Sequence, residues 1–220
     1  MSTMTAAREG ILDRIRKTRG GEGREAAYVG LARDYVRRGT LDGEARLKLM
    51  IERLREYDSE VVECRPGELP AAIAGELKRS GRKKFAAPEG LPKEWLAEGF
   101  DWLVDGAHGS GELAAAEIEK ADGVVTAATC GVANSGTIVL HHTALEGRRV
   151  LTLLPDWHLC ILRASQVVET LPEYFSRCEE APRLVTWISG PSATADIEMT
   201  RIKGVHGPRF LVVILVRDVD

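Results

Sequence analysis

Leu211-Val-Val-Ile-Leu-Val216 is an unbroken apolar run preceded by Gly204-Val-His-Gly-Pro-Arg209, a segment of turn-forming and polar residues. A run without polar alternation predicts a strand covered on both faces, as in a parallel sheet sandwiched between helices. Working outward, Thr137–Leu140, Val150–Leu154 and Leu159–Leu162 read in the same way, and Leu184–Ile188 is nearly as apolar. Upstream, short strand candidates at Val61-Val62, Lys84–Ala87 and Trp102–Val104 alternate with helical stretches at Pro70–Lys78, Leu91–Glu98 and Glu112–Lys120. Ser165–Cys178 is expected to be the helix between two of the later strands. The sum is an α/β fold with a mostly parallel sheet over residues 59–220.

Residues 1–58 read as a helical N-terminal region. Tyr28, Leu31, Ala32, Tyr35 and Val36 share one helix face, and Leu47, Met50, Ile51 and Leu54 share another. The segment around Ile11, Leu12 and Ile15 has a weaker pattern and is expected to be an arm that packs on a partner.

Composition narrows the function classes. The 30 basic and 33 acidic side chains give a net charge of −3, which argues against nucleic-acid binding through a basic surface. No apolar run approaches the roughly 20 residues that span a bilayer, and the N-terminus lacks a signal-peptide core, so a cytoplasmic protein is expected. Cys64, Cys130, Cys160 and Cys178 are too far apart for an iron–sulfur motif and form no C-x-x-C pair. Free, mostly buried thiols and no cofactor held by this chain are the expectation.

Four polar clusters carry the candidate chemistry. Cys130-Gly-Val-Ala-Asn-Ser-Gly-Thr137 joins two strand-like runs. Asn134, Ser135, Gly136 and Thr137 there could turn N–H groups and hydroxyls toward an anion, or could simply make a turn. In Leu154-Pro-Asp-Trp-His158, extended backbone would put Asp156 and His158 on one face, as an acid/base pair or as a structural hydrogen bond. Ser189-Gly-Pro-Ser-Ala-Thr-Ala-Asp-Ile-Glu198 concentrates Ser189, Gly190, Ser192, Thr194, Asp196 and Glu198 beyond a strand. Asp196, Ser192 or Thr194 could cap a short helix ending at Gly204, yet one cap needs fewer such groups. His206, between Gly204 and Gly207, has little side-chain wall around it and could be a general acid/base, a ligand clamp or a turn histidine. His141-His142 reads as a solvent-edge pair, and Cys130 has no recognisable histidine partner.

Together these stretches resemble the lactate-utilisation protein C family, also called the LUD-domain or YkgG-like family. The resemblance runs from Ala7-Arg-Glu-Gly-Ile-Leu-Asp-Arg-Ile-Arg16 to Val216. It is strongest in Gly136-Thr-Ile-Val-Leu140, Leu153-Leu-Pro-Asp-Trp-His158, Ser189–Glu198 and Gly204–Pro208. It implies a Rossmann-like sandwich similar to the NagB/RpiA/CoA-transferase group. It also implies a role in bacterial oxidation of L-lactate to pyruvate beside partner proteins, at least one of which holds iron–sulfur clusters. A chain without cluster ligands would be the non-cluster component.

Where relatives commonly carry an acid before the Ser/Thr-Gly-Thr turn, this chain has Asn134, which hydrogen-bonds but cannot act as a carboxylate base. On this reading the site lies at the carboxyl edge of the sheet. Asn134–Thr137, Ser189, Gly190, Ser192, Thr194, Asp196 and Glu198 would contact a small anionic substrate. His206, His158 and Asp156 would handle protons. A free-standing enzyme acting on a phosphorylated or CoA-linked molecule, and a scaffold without chemistry, are the alternatives.

Overall fold

The apolar runs assemble into a six-stranded sheet of order β1-β12-β7-β4-β2-β3, parallel at every pairing. Its strands are β1 (Glu60–Cys64), β2 (Lys84–Pro88), β3 (Asp101–Asp105), β4 (Gly123–Ala127), β7 (Trp157–Arg163) and β12 (Phe210–Val216). A smaller four-stranded sheet has the order β8-β5-β6-β9. It is built from β5 (Cys130–Val132), β6 (Thr137–Leu140), β8 (Val167–Val168) and β9 (Thr186–Ile188). The computed structural model describes residues 2–18, 28–32, 34–106, 111–178, 182–194, 202–204 and 207–219.

Both faces of the large sheet are covered, which is why its strands lack polar alternation. Leu159, Ile161, Val212 and Ile214 pack on Leu69, Ile73 and Leu77 of one helix (Leu69–Arg79). Cys160, Leu162, Val213 and Leu215 face the other way. They pack against Leu47, Met50, Ile51 and Leu54 of a second helix (Gly43–Glu56) and against Ile138 and Leu140 of the small sheet. That helix starts at Asp42, whose side chain accepts from the Ala45 N–H at 2.8 Å, and ends with Arg53 and Arg55 against its negative pole.

Several expectations are corrected. The chain divides into a unit of residues 1–35 and a unit of residues 36–220, so the helix at Gly43–Glu56 sits inside the α/β unit. Its apolar stripe packs on the large sheet. Residues 2–18 form a helix, whereas the expected face from Tyr28 to Val36 gives way to a turn at Gly30. Val150–Leu154 is no strand. Arg149–Thr152 forms a 3-10 turn that buries Leu151 and Thr152 and leaves Leu153 and Leu154 exposed. Between Ala164 and Cys178 the chain makes a 3-10 turn, the short β8 and a helix only from Leu171 to Arg177, started by the Thr170–Glu173 capping box. Ala193–Thr194 (β10) pairs antiparallel with Ile202–Lys203 (β11); residues 195–201, where a capped helix is one of the two readings, lie outside the described residues. No helix among the described residues is long and apolar enough to cross a membrane.

His158 belongs to this core. It points to the same side of β7 as Cys160, is 1 % exposed, and its Nε2 lies 2.8 Å from the Thr126 hydroxyl of β4. Burial pushes its pKa down from 6.5 to about 4. The imidazole is therefore neutral at physiological pH, out of reach of solvent, and serves as a cross-strand tie.

Two predictions follow from this packing. Between pH 6.5 and 4 the unfolded chain takes up a proton at residue 158 that the folded chain refuses. Stability should fall by about 2–3 kcal/mol as pH drops from 7 to 4.5. Urea unfolding should show that His158→Gln lacks this component; an identical pH dependence in both proteins would show that the imidazole is not buried neutral. Leu54→Ala should cost the α/β unit about 2–5 kcal/mol in the same assay. An unchanged midpoint would mean that its helix folds separately.

Candidate functional site

The polar motifs meet, but at the amino edge of the large sheet rather than the expected carboxyl edge. Asp156 immediately precedes β7 and Arg209 immediately precedes β12, and these are adjacent parallel strands in which Trp157 is level with Phe210. The Asp156 carbonyl accepts from the N–H groups of Arg209 (2.9 Å) and Phe210 (3.2 Å), so the two entry loops are fastened backbone to backbone. The side chains repeat the tie. The Nε of Arg209 donates to Asp156, and Arg82 approaches the same carboxylate at 3.7 Å while lying over the rings of Trp157 and Phe210. The hydrogen bond to Asp156 raises the Arg209 pKa above its ordinary value.

The expected pairing of Asp156 with His158 is therefore absent. Asp156 sits in the bend before β7 and turns to the two arginines, whereas His158, inside the strand, turns into the core toward Thr126.

A second tie joins the first and third motifs. The tip between β5 and β6 is a 3-10 turn at Ala133–Ser135, closed by Gly136 in the left-handed region (φ 59°). A β-carbon on Gly136 would stand 2.7 Å from Arg53 Cβ, so the turn rests on the last turn of the Gly43–Glu56 helix. Beside it the Thr137 hydroxyl lies 2.7 Å from that of Ser135 and 2.8 Å from that of Ser189. Thr137 is buried, while Ser135 and Ser189 are exposed at the two ends of this relay. Asn134 is exposed at the tip, and its backbone N–H donates to the Glu169 carbonyl.

From Ser189 the chain turns at Gly190 (φ 82°), where a side chain would collide with the Tyr57 carbonyl. It then reaches Ser192, whose N–H donates to the Pro208 carbonyl and whose carbonyl accepts from the Gly204 N–H, both at 2.8 Å. A hollow of about 290 Å³ opens between this strap and the strand starts, bounded by Asp58, Glu60, Ser192, Arg209 and Phe210. The third and fourth motifs thus abut as expected. Thr194 lies in β10, and Asp196, Glu198 and His206 lie outside the described residues.

Sequence reasoning missed Arg82, Arg209 and Thr126. Arg209 was visible as the residue closing the Gly204–Pro208 motif; Arg82, in the loop before β2, and Thr126, in β4, come from distant parts of the chain and left no local signal. The pair read as solvent-edge histidines is half-buried and bonded. His141 Nε2 lies 2.6 Å from the Tyr174 hydroxyl. His142 bridges the Gly147 carbonyl (Nδ1, 3.0 Å) and the Thr186 hydroxyl (Nε2, 2.8 Å). Cys130 lies inside β5 with its thiol pushed up to about 11 by burial, which removes it as a nucleophile.

Chemically, the amino edge offers two exposed hydroxyls coupled through Thr137 and a guanidinium that spends only its Nε on Asp156. Such groups suit a small anion by donating to it. They offer no basic imidazole among the described residues.

The lactate utilization protein C of Deinococcus radiodurans is 40% identical over 168 residues, covering 75% of this chain and 76% of the relative. That of an Exiguobacterium species is 31% identical over 228 residues, 96% of each chain. A solved crystal structure of a DUF162 family protein from Deinococcus radiodurans superposes with a TM-score of 0.65 at 35% identity, covering 80% of this chain and 99% of that one. The LUD domain family pattern matches residues 6–216, a span that contains both sheets and all four polar motifs. The chain belongs to the LUD-domain family.

Proposed function

We propose that this protein is the non-cluster component of a bacterial system that oxidises L-lactate to pyruvate, working in the cytoplasm with iron–sulfur partner proteins. The reading is carried by the family match over residues 6–216 together with relatives named lactate utilization protein C. The state of the thiols supports the division of labour. Cys64, Cys130 and Cys160 are buried in separate parts of the core, and burial raises the pKa of each. Thiols so placed are poor cluster ligands, since ligation needs accessible thiolates converging on one point. Clusters and the electrons they carry then fall to the partners.

Within this role the amino-edge face is the anion-contacting surface. Ser135 and Ser189 present hydroxyls held at fixed separation by Thr137, and Arg209 has guanidinium N–H groups to spare for a carboxylate. Asn134 at the tip can donate from its amide but cannot remove a proton.

Deleting the gene should stop growth on L-lactate as sole carbon source, and the wild-type chain should restore it. Unimpaired growth of the deletion strain contradicts the role. A chain carrying Ser135→Ala and Ser189→Ala together should lose about 1–3 kcal/mol of stability from the unpaired Thr137 hydroxyl but remain folded, and should bind L-lactate about tenfold more weakly or worse, from the loss of two hydrogen bonds. Unchanged affinity would move the anion site elsewhere.

A further inference from the structure

Three carboxylates are buried among the described residues, and two of them have an arginine. Asp105 is gripped by Arg148, whose Nε donates at 2.9 Å, and Glu76 is paired with Arg79. Glu146, 1 % exposed, has no cation partner among the described residues. It accepts the Thr129 hydroxyl at Oε1 (2.6 Å) and the N–H groups of His141 (2.8 Å) and Thr143 (3.0 Å) at Oε2. A carboxylate oxygen takes two donors, so Oε1 retains an open acceptor position. A buried charge without a counter-charge is costly and is seldom kept without a use.

Its surroundings give the use. Glu146 lines a crevice of about 330 Å³ at the carboxyl ends of β4 and β7, opposite the edge that carries the polar motifs. From β2 the chain proceeds outward to β3, whereas from β4 it proceeds the other way to β7 and β12. The crevice therefore lies at the point where successive connections diverge, between the segment after β2, which supplies Trp95, and the segment after β4, which supplies Thr143 and Glu146. Such divergence leaves a gap outside the strand ends that no crossover fills, which is the usual place for a ligand in a parallel sheet. The walls are chiefly apolar, with Trp95, Leu145 and Ile161 facing in. Arg163 also lines the crevice; its side chain is 43 % exposed and reaches Asp218 only at 3.9 Å, so its charge is loosely committed.

We infer that this crevice is a second ligand site, for a free amino acid with an apolar side chain. The ammonium would supply the cation that Glu146 lacks and donate to the open position on Oε1. The carboxylate would meet Arg163, and the side chain would lie against Trp95, Leu145 and Ile161. A hydroxy acid satisfies the same hydrogen bond but leaves the charge uncompensated, so it ranks below the amino acid. The site is independent of the lactate role.

Isothermal titration of the full chain with L-leucine tests it. Leucine should bind, and isocaproate (no amine), isoamylamine (no carboxylate) and leucic acid (hydroxyl for amine) should each bind at least about tenfold more weakly. Glu146→Gln should weaken leucine binding by a similar factor. Because Glu146 also anchors the 141–146 turn, Leu145→Trp provides a check that leaves the buried ties intact: it fills the crevice from an exposed position and should abolish binding while the unfolding midpoint stays near that of the wild type. No heat with leucine, or unchanged affinity in Leu145→Trp, overturns the site and leaves Glu146 a structural anchor. Leucic acid binding as tightly as leucine overturns the assigned ligand class.

Discussion

The parallel pairing of β7 with β12 is the constraint on which the remainder of the molecule rests. Seven residue pairs run from Trp157–Phe210 to Arg163–Val216, and both strands are covered by a helix on each face. Once that register is fixed, the loops that precede the two strands must emerge side by side. The Asp156 carbonyl then has two N–H groups in front of it, and the Asp156 and Arg209 side chains meet as a consequence. A shift of one residue would turn Val213 and Leu215 to the opposite face and separate the two loops. The amino-edge face is thus a product of core packing.

The same packing accounts for the state of the polar groups. His158 and Thr126 satisfy one another inside the sheet, and Thr137 sits between two serines. Most polar residues of the motifs, among the described residues, thus have structural partners. What remains for a ligand is the outer end of each tie: the exposed Ser135 and Ser189 hydroxyls and the unspent part of Arg209. At the opposite edge the balance differs, because Glu146 is buried with hydrogen bonds but without a counter-charge. The two edges therefore differ in what they present: hydroxyls and a guanidinium at one, a buried acceptor beside the Arg163 guanidinium at the other.

The α/β class, the parallel sheet and most strand positions were legible because an apolar run without alternation has few other uses. Phe210–Val216 and Trp157–Arg163 extend the runs read at Leu211–Val216 and Leu159–Leu162 by one to three residues. Val150–Leu154 misled because composition does not distinguish a strand from a 3-10 turn that buries two of its residues. The helix at Gly43–Glu56 was legible as a helix, but its membership in the α/β unit was not, since that depends on which apolar surface it meets. Convergence of Thr137 with Ser189, and of Asp156 with the loop before β12, was partly legible through the motifs. The edge was not read correctly, although the order was there to use: a motif that precedes its strand lies at the amino end. The Asp156–His158 pairing failed because alternation fixes only the side of a strand, and Asp156 lies before the strand begins.

The account's central claim is that strand register brings the motifs together at the amino edge and makes that edge the anion-contacting face. Titrating isotopically labelled protein with L-lactate and following its amide resonances tests this most directly. The largest shifts should fall on Ser135, Thr137, Ser189, Gly190 and Arg209, with the strand interiors unchanged. Shifts confined to the carboxyl edge around Thr129 and Gln166, or no shifts at saturating lactate, would contradict it.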